Sequence, residues 1–293
     1  MLQLEQCRRR SPLWVLSRFL VILLFWIPLP AALALVTIYG AYQQVVPQTP
    51  DILVPPPGSA TIVEDLSGRQ VGGLARGLAP WVSYGELSPL LVQSFLAAED
   101  DNFFLHSGFD YRAVVRAALS NWRAGQVRQG GSTVTQQLAK MFVGRERTYE
   151  RKFMELLLSR RIEASYSKHE ILEAYLNRIY LGAGALGVGA AGRIYFDHTP
   201  GELPLAESAT LAGIASSPSS LEPYDHPERA QERRDYVLHR MSLLGFITEE
   251  RAEEARANPV RLREQGEVPE SVLPAAVDQI RREIEERYGD DAW

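Results

Sequence analysis

Residues 19–39, FLVILLFWIPLPAALALVTIY, carry no charged side chain. A helix needs about 20 predominantly apolar residues to cross a bilayer, so the segment reads as one transmembrane anchor. Pro28 and Pro30 interrupt it, and each removes a backbone hydrogen bond, so a kink is expected there. A cleaved signal peptide is the competing reading. Its apolar region usually runs about 7–15 residues before a small-residue cleavage site, for which Ala31, Ala32 and Ala34 are candidates. Arg8, Arg9, Arg10 and Arg18 precede the span, whereas the next basic residue after it is Arg69. The excess of positive charge before the span places residues 1–18 in the cytoplasm as a short tail and everything after Tyr39 outside.

A chain of 293 residues has room for one sizeable domain with attachments, or two small ones. The net charge of −5 argues against a nucleic-acid partner, which usually demands a basic excess. Cys7 is the only cysteine, so an internal disulfide and a thiolate zinc cluster are both excluded. Residues 40–60, dominated by VVPQTPDILVPPPGSA, hold too many prolines for a regular helix and read as an extended linker. TIVEDLSGRQVGGLA (61–75) alternates around Ser67-Gly68 and suggests a short hairpin. From Ser88, a candidate N-cap followed by Pro89, the pattern is helical and the first helix should end near Glu99. Apolar spacing of three to four predicts further helices at about 110–124, 132–143, 148–165, 168–180, 204–216 and 227–244. With sparse strand signals, residues 61–245 form a mainly α domain, followed by an acidic, helical connector over 246–293 broken by Pro269 and Pro274.

Two glutamates stand in distinctive surroundings: Glu99 in EDDNFFLHSGFD (99–110) and Glu155 in RKFME (151–155), with QGGSTVTQQLAK (129–140) between them. At a helix C-terminus, Glu99 meets the negative end of the macrodipole and the like charges of Asp100 and Asp101, and both raise a carboxyl pKa. A raised pKa suits a general base for a sugar hydroxyl. Without its neighbours, the EDD run would be a solvated acidic helix end. Gly130-Gly131-Ser132-Thr133 is a loop-to-helix signal, and the free amides of a helix N-terminus favour anions. Thr135, Gln136 and Lys140 would share one face of that helix. Arg151, Lys152 and Glu155 are likewise spaced to share a face. Residues 123–161 hold nine basic side chains against Glu146, Glu150 and Glu155, a local excess that fits a diphosphate and an anionic membrane surface. Trp122, Met141, Phe142 and Val143 lie among those charges, either as a segment dipping into lipid or as core.

These blocks, in this order, resemble the peptidoglycan glycosyltransferases found in class A penicillin-binding proteins and in monofunctional transglycosylases. The resemblance spans roughly residues 60–245. EDDNFFLHSG follows the family's Glu-Asp-x-x-Phe-x-x-His-x-Gly, and QGGSTVTQQLAK its second block. KHEILEAYLNRIYLGAGALGVGAAGRIYF (168–196) and ESATLAGIASSPSSLEPY (207–224), with Arg233-Arg234 and Met241 beyond, match in turn. Met141, Leu186 and Asp197 depart from the family's usual asparagine, aromatic and glycine. The resemblance implies a lysozyme-like, mainly helical fold with a small membrane-dipping subdomain, and lipid II, the undecaprenyl-diphosphate-linked disaccharide-pentapeptide, as substrate. It implies that Glu99 deprotonates the acceptor 4-hydroxyl, that Lys140 and Arg151 neutralise the departing diphosphate, and that Glu155 positions them or holds a divalent cation such as magnesium. Asp100, Phe103, His106, Gly130, Ser132, Thr133, Thr135, Gln136, Gln137 and Lys152 would line the substrate. The implied location is the outer face of a bacterial inner membrane, with the growing glycan chain and other cell-wall elongation or division proteins as partners.

GAGALG (182–187) and GVGAAG (187–192) fit the dinucleotide glycine pattern, but a helix rather than a strand precedes them, so nucleotide binding is rejected. Glu207 is expected to support the fold. Ser165-Tyr-Ser-Lys168 fits the first motif of a penicillin-binding transpeptidase, yet no Lys-Thr-Gly follows, so no transpeptidase domain is expected. Two other readings remain open: a non-catalytic scaffold that binds lipid II, and a lytic peptidoglycan glycosidase, against which the basic patch argues.

Overall fold

The computed structural model describes residues 28–45, 48–55, 62–64, 70–73, 79–111, 131–143 and 148–264, with a few isolated positions besides. Residues 112–124 of the helix expected at 110–124, which include Trp122, lie outside the described residues, as do Gly130 and most of the first part of the expected anchor. The chain divides into two compact units, residues 1–48 and 49–293.

In the first unit, helix α1 (Pro28–Val45) is 18 residues long and uncharged, with Leu29, Leu33, Leu35 and Val36 exposed. Among the described residues, no helix is long and apolar enough to cross a membrane. Of the residues 19–39 expected to span a membrane, 28–39 are helical.

The second unit begins with the expected hairpin. Strands β1 (Ile62–Glu64) and β2 (Gln70–Gly73) pair antiparallel, Ile62 opposite Gly73, with an irregularity between Val63 and Glu64. The remaining labelled elements are helical: α2 (Pro89–Glu99), α3 (Val134–Val143), α4 (Tyr149–Ser165), α5 (Lys168–Arg178), α6 (Gly187–Phe196), α7 (Leu205–Ile214), α8 (Pro218–Leu221), α9 (Pro227–Leu243) and α10 (Glu249–Ala257). Helices α2, α7 and α9 pack together as one group, α3 packs against α4 and α5 as another, and α6 touches both α5 and α7. Buried Phe95 of α2 meets buried Tyr175 of α5 edge to face, ring centroids 6.3 Å apart, and so ties the two groups together.

Local chemistry explains most helix boundaries. Thr148 caps α4 by accepting from the Arg151 amide, and Ser167 with Glu170 forms a reciprocal capping box on α5, satisfying amides that have no intrahelical partner. Ser88 precedes α2 but makes no side-chain cap; Pro89, which has no N–H to satisfy, starts the helix instead. Between the helices expected at 168–180 and 204–216 the glycine-rich run forms one more, α6. Gly187 opens it at φ +80, where an added Cβ would stand 2.6 Å from the Asn177 carbonyl oxygen, so both the left-handed backbone and the close approach require glycine. Asp197 ends it at φ 62, which accounts for a glycine in the family at this position; aspartate tolerates this region better than most residues.

Segments assigned by composition to the linker and connector touch the helical body. The Pro50 carbonyl accepts from the Tyr166 hydroxyl, Ile52 is fully buried, and Arg178 donates to the Ile52 carbonyl. Helix α10 packs on α9, where buried Arg234 donates to the carbonyls of Arg256 and Asn258 at its C-terminal end. Glu207 holds His198 at 2.7 Å, as expected of a fold-supporting carboxylate.

Candidate active site

Glu99 is the last residue of α2. Its Oε2 accepts a 2.6 Å hydrogen bond from Gln137 Nε2 on α3, while its Oε1 is buried with no partner. Part of the residue's surface is open, but the carboxylate itself is enclosed. Burial pushes its pKa above the ordinary carboxylate range; the Gln137 bond and the charge of Arg233 oppose the push, and Asp100 adds to it. The direction expected from the sequence holds, but its main cause differs. Asp101 is paired with Arg240 at 2.8 Å, and loss of water, not like charge, dominates.

Asp100 has a different task. Its carboxylate accepts from His106 Nε2 at 3.0 Å and from the Val134 amide at 3.0 Å. The Gln136 amide donates to Thr133 Oγ1, and the Thr133 amide to Gln136 Oε1. The anion site expected at this helix start is thus largely filled by the protein's own side chains. Thr135 and Gln136 are buried, and Thr135 donates to Glu163 at 2.5 Å. They do not share an open face with Lys140, which is exposed. Phe103 is buried beneath the Lys168 ammonium, 4.2 Å from the ring centroid. Lys168 also bonds Glu163 at 2.7 Å, so it is committed away from Ser165.

Glu155, whose side chain is 2% exposed, bonds Arg151 through one oxygen and Lys152 through the other, the latter at 3.0 Å. Lys152 also reaches Ser132 Oγ at 3.2 Å. Burial, then the neighbouring charges of Arg151 and Lys140, lower the Lys152 pKa, so three cations gather here. Arg151 Nε is buried and unpartnered. Among the described residues, no hydrogen bond or ion pair joins Glu99 to Glu155. Helix α3 links them, with Gln137 on one carboxylate and Ser132, just before its first turn, on the cation cluster. A divalent cation at Glu155 does not fit this donor set. Both carboxylate oxygens already hold cationic groups, and among the described residues no three His, Cys, Asp or Glu side chains converge.

Two residues near Glu99 lie in blocks that match the family but had no role assigned from the sequence. Arg233, one half of the Arg233-Arg234 pair, has a buried Nε without a partner and stacks its guanidinium 4.7 Å from the Tyr236 ring centroid. Tyr175 lies inside EAYLN, a stretch that carries no chemical signal in sequence, and donates to Gln137 Oε1 at 3.2 Å.

Residues from the blocks on which the family resemblance rests thus form a buried helix-end carboxylate and a cation cluster held by a second carboxylate, on a helical body. Residues 68–242 match the family model described as Transglycosylase, and the chain belongs to that family. Penicillin-binding protein 1A of Aquifex aeolicus (strain VF5) is 43% identical over 238 residues, covering 81% of this chain and 32% of that protein. Penicillin-binding protein 1A of Escherichia coli (strain K12) is 36% identical over 261 residues, covering 88% of this chain and 31% of that one. The chain spans less than a third of the length of either relative. Among solved structures, penicillin-binding protein 1A of Haemophilus influenzae aligns with a TM-score of 0.44 and 23% identity, over 79% of this chain and 25% of that one.

Proposed function

We propose that the protein is a peptidoglycan glycosyltransferase that polymerises lipid II into β-1,4 glycan strands from the outer face of a bacterial inner membrane, anchored by residues 19–39. The observation that carries this reading is the unequal pair of Glu99 oxygens, one fixed by Gln137 and one buried and unpartnered, in a chain of the transglycosylase family.

The acceptor 4-hydroxyl gives its proton to Glu99 as its oxygen bonds to the anomeric carbon of the growing donor chain. The bond from that carbon to the diphosphate breaks, its electron pair leaves with undecaprenyl diphosphate, and the α-linkage inverts to β. Glu99 then returns the proton to water. Enclosure of the carboxylate strips its hydration and raises its basicity toward the working pH. Lys140, Arg151 and Lys152 supply positive charge for the leaving diphosphate, and Glu155 fixes Arg151 and Lys152 in place. No step needs a metal held by Glu155; magnesium would enter with the diphosphate.

The test is polymerisation of labelled lipid II by the detergent-solubilised full chain beside Glu99→Gln, read as glycan ladders on a gel. Polymer from the wild type alone supports the transferase and the base. Equal polymer from both removes Glu99 from that role, and lipid II bound without turnover by either protein replaces the enzyme with a scaffold.

A further inference from the structure

A base with two oxygens must offer the right one, and the residue that settles the choice lies outside the motif-derived site. A side-chain amide fits into a site either way round. Placing the Gln137 carbonyl against Glu99 would set two acceptors face to face, while placing its NH2 there leaves the carbonyl needing a donor. That donor is present: the Tyr175 hydroxyl reaches Gln137 Oε1 at 3.2 Å, and Gln137 Nε2 in turn reaches Glu99 Oε2 at 2.6 Å. Tyr175 is fully buried, and its ring is held by the edge contact with Phe95, one helical turn before Glu99 on the same face of α2. The hydroxyl therefore has little freedom to point elsewhere.

We propose that Tyr175 is a positioning residue for the base: acting through Gln137, it locks the amide, occupies Oε2 and leaves Oε1 for the acceptor hydroxyl. The proposal rests on the glycosyltransferase reading of Glu99. Burial, reinforced by the charges of Glu99 and Asp100, pushes the Tyr175 phenol well above its ordinary range, so it stays a donor at any working pH. The charged groups acting on Glu99 are Asp100 at the end of α2, which adds to its pKa, and Arg233 of α9, which lowers it. Asp101 nearby is neutralised by Arg240. The Gln137 bond also lowers the Glu99 pKa. Releasing the amide raises it.

The experiment compares Tyr175→Phe, Gln137→Met and the double variant in the full chain. The Glu99 carboxyl is followed by carbon NMR titration, and lipid II polymerisation is measured across pH. Tyr175→Phe removes one oxygen and leaves the Gln137 carbonyl without its donor, so its Tm should fall by only a few degrees, the cost of one buried hydrogen bond, with cooperative melting kept. Its kcat should fall about five- to tenfold, the size of one lost hydrogen bond at the base, with KM little changed. The Glu99 titration and the acid limb of the rate profile should both move to higher pH. The double variant should be no worse than Gln137→Met alone, as expected of residues acting in series. A Tyr175→Phe titration identical to wild type, or losses that add in the double variant, would overturn the proposal. Fluorotyrosine at 175 keeps the ring and strengthens the donor, so it serves if the Phe variant does not fold; the Glu99 titration should then move to lower pH, and no movement counts against the proposal. The titration needs no turnover, so an inactive wild-type chain refutes the glycosyltransferase reading while still deciding the role of Tyr175.

Discussion

Replacing Glu99 by glutamine should stabilise the protein while abolishing polymerisation. The carboxyl has a higher pKa folded than unfolded because the folded state strips its water. Below the unfolded value it is protonated in both states, and burial of the charge costs nothing. As pH rises through the window between the unfolded and folded values, the unfolded chain releases the proton first and stability falls. Above the folded value the whole penalty is present. Glutamine removes the charge at nearly constant shape; its carbonyl can still accept from Gln137 Nε2, while its NH2 takes the buried, partnerless place of Oε1 and offsets part of the gain. Each tenfold change in proton affinity is worth about 1.4 kcal/mol. The Gln137 bond and Arg233 already offset part of the cost, so a gain of about 1 kcal/mol is reasonable for neutralising a strained functional group. For a body of this size that is a rise in Tm of roughly 2–4 °C. The assay is thermal melting of both proteins from about pH 3.5 to 8, a range that reaches below the ordinary glutamate value of about 4.3, where the gap vanishes. The gap should be widest at pH 8 and close as pH falls. A glutamine variant less stable than wild type at pH 8, or a gap that ignores pH, refutes the claim that Glu99 is held at a cost to the fold.

Other consequences separate the two carboxylates and the backbone that frames them. Arg233→Met removes a positive charge that lowers the Glu99 pKa, so the acid limb of the polymerisation profile should move to higher pH. Glu155→Gln strips the counter-charge from Arg151 and Lys152, whose side chains are 17% and 51% exposed. Partial hydration reduces the penalty of breaking such a pair to about 1–3 kcal/mol, so this variant should lose stability as well as activity, opposite in sign to Glu99→Gln in melting. Gly187→Ala places a Cβ against the Asn177 carbonyl at positive φ and should cost more than about 2 kcal/mol, read as a lowered denaturation midpoint.

The sequence by itself determined the order and type of most of the described elements. The period of three to four in apolar residues marks α2, α3, α4, α5, α7 and α9, because a helix's buried face is written locally. Ser67-Gly68 between alternating residues marks the hairpin. It also placed Glu99 at a helix end and grouped Arg151, Lys152 and Glu155, since both follow from spacing along one helix. It missed α6, because the glycine-rich run carries no clear apolar period; there, close contacts with Asn177 and His198 reward small residues more than helix propensity penalises them. Only the tertiary structure decided what surrounds the base. Glu99, Gln137, Tyr175 and Arg233 come from four helices, and their convergence depends on how those helices pack. Desolvation of the Glu99 carboxylate, the pairing of Asp101 with Arg240 and the inward turn of Thr135 and Gln136 are properties of that packing. Water is excluded by neighbours distant in sequence, so the cause of a shifted pKa is legible only once those neighbours are in place.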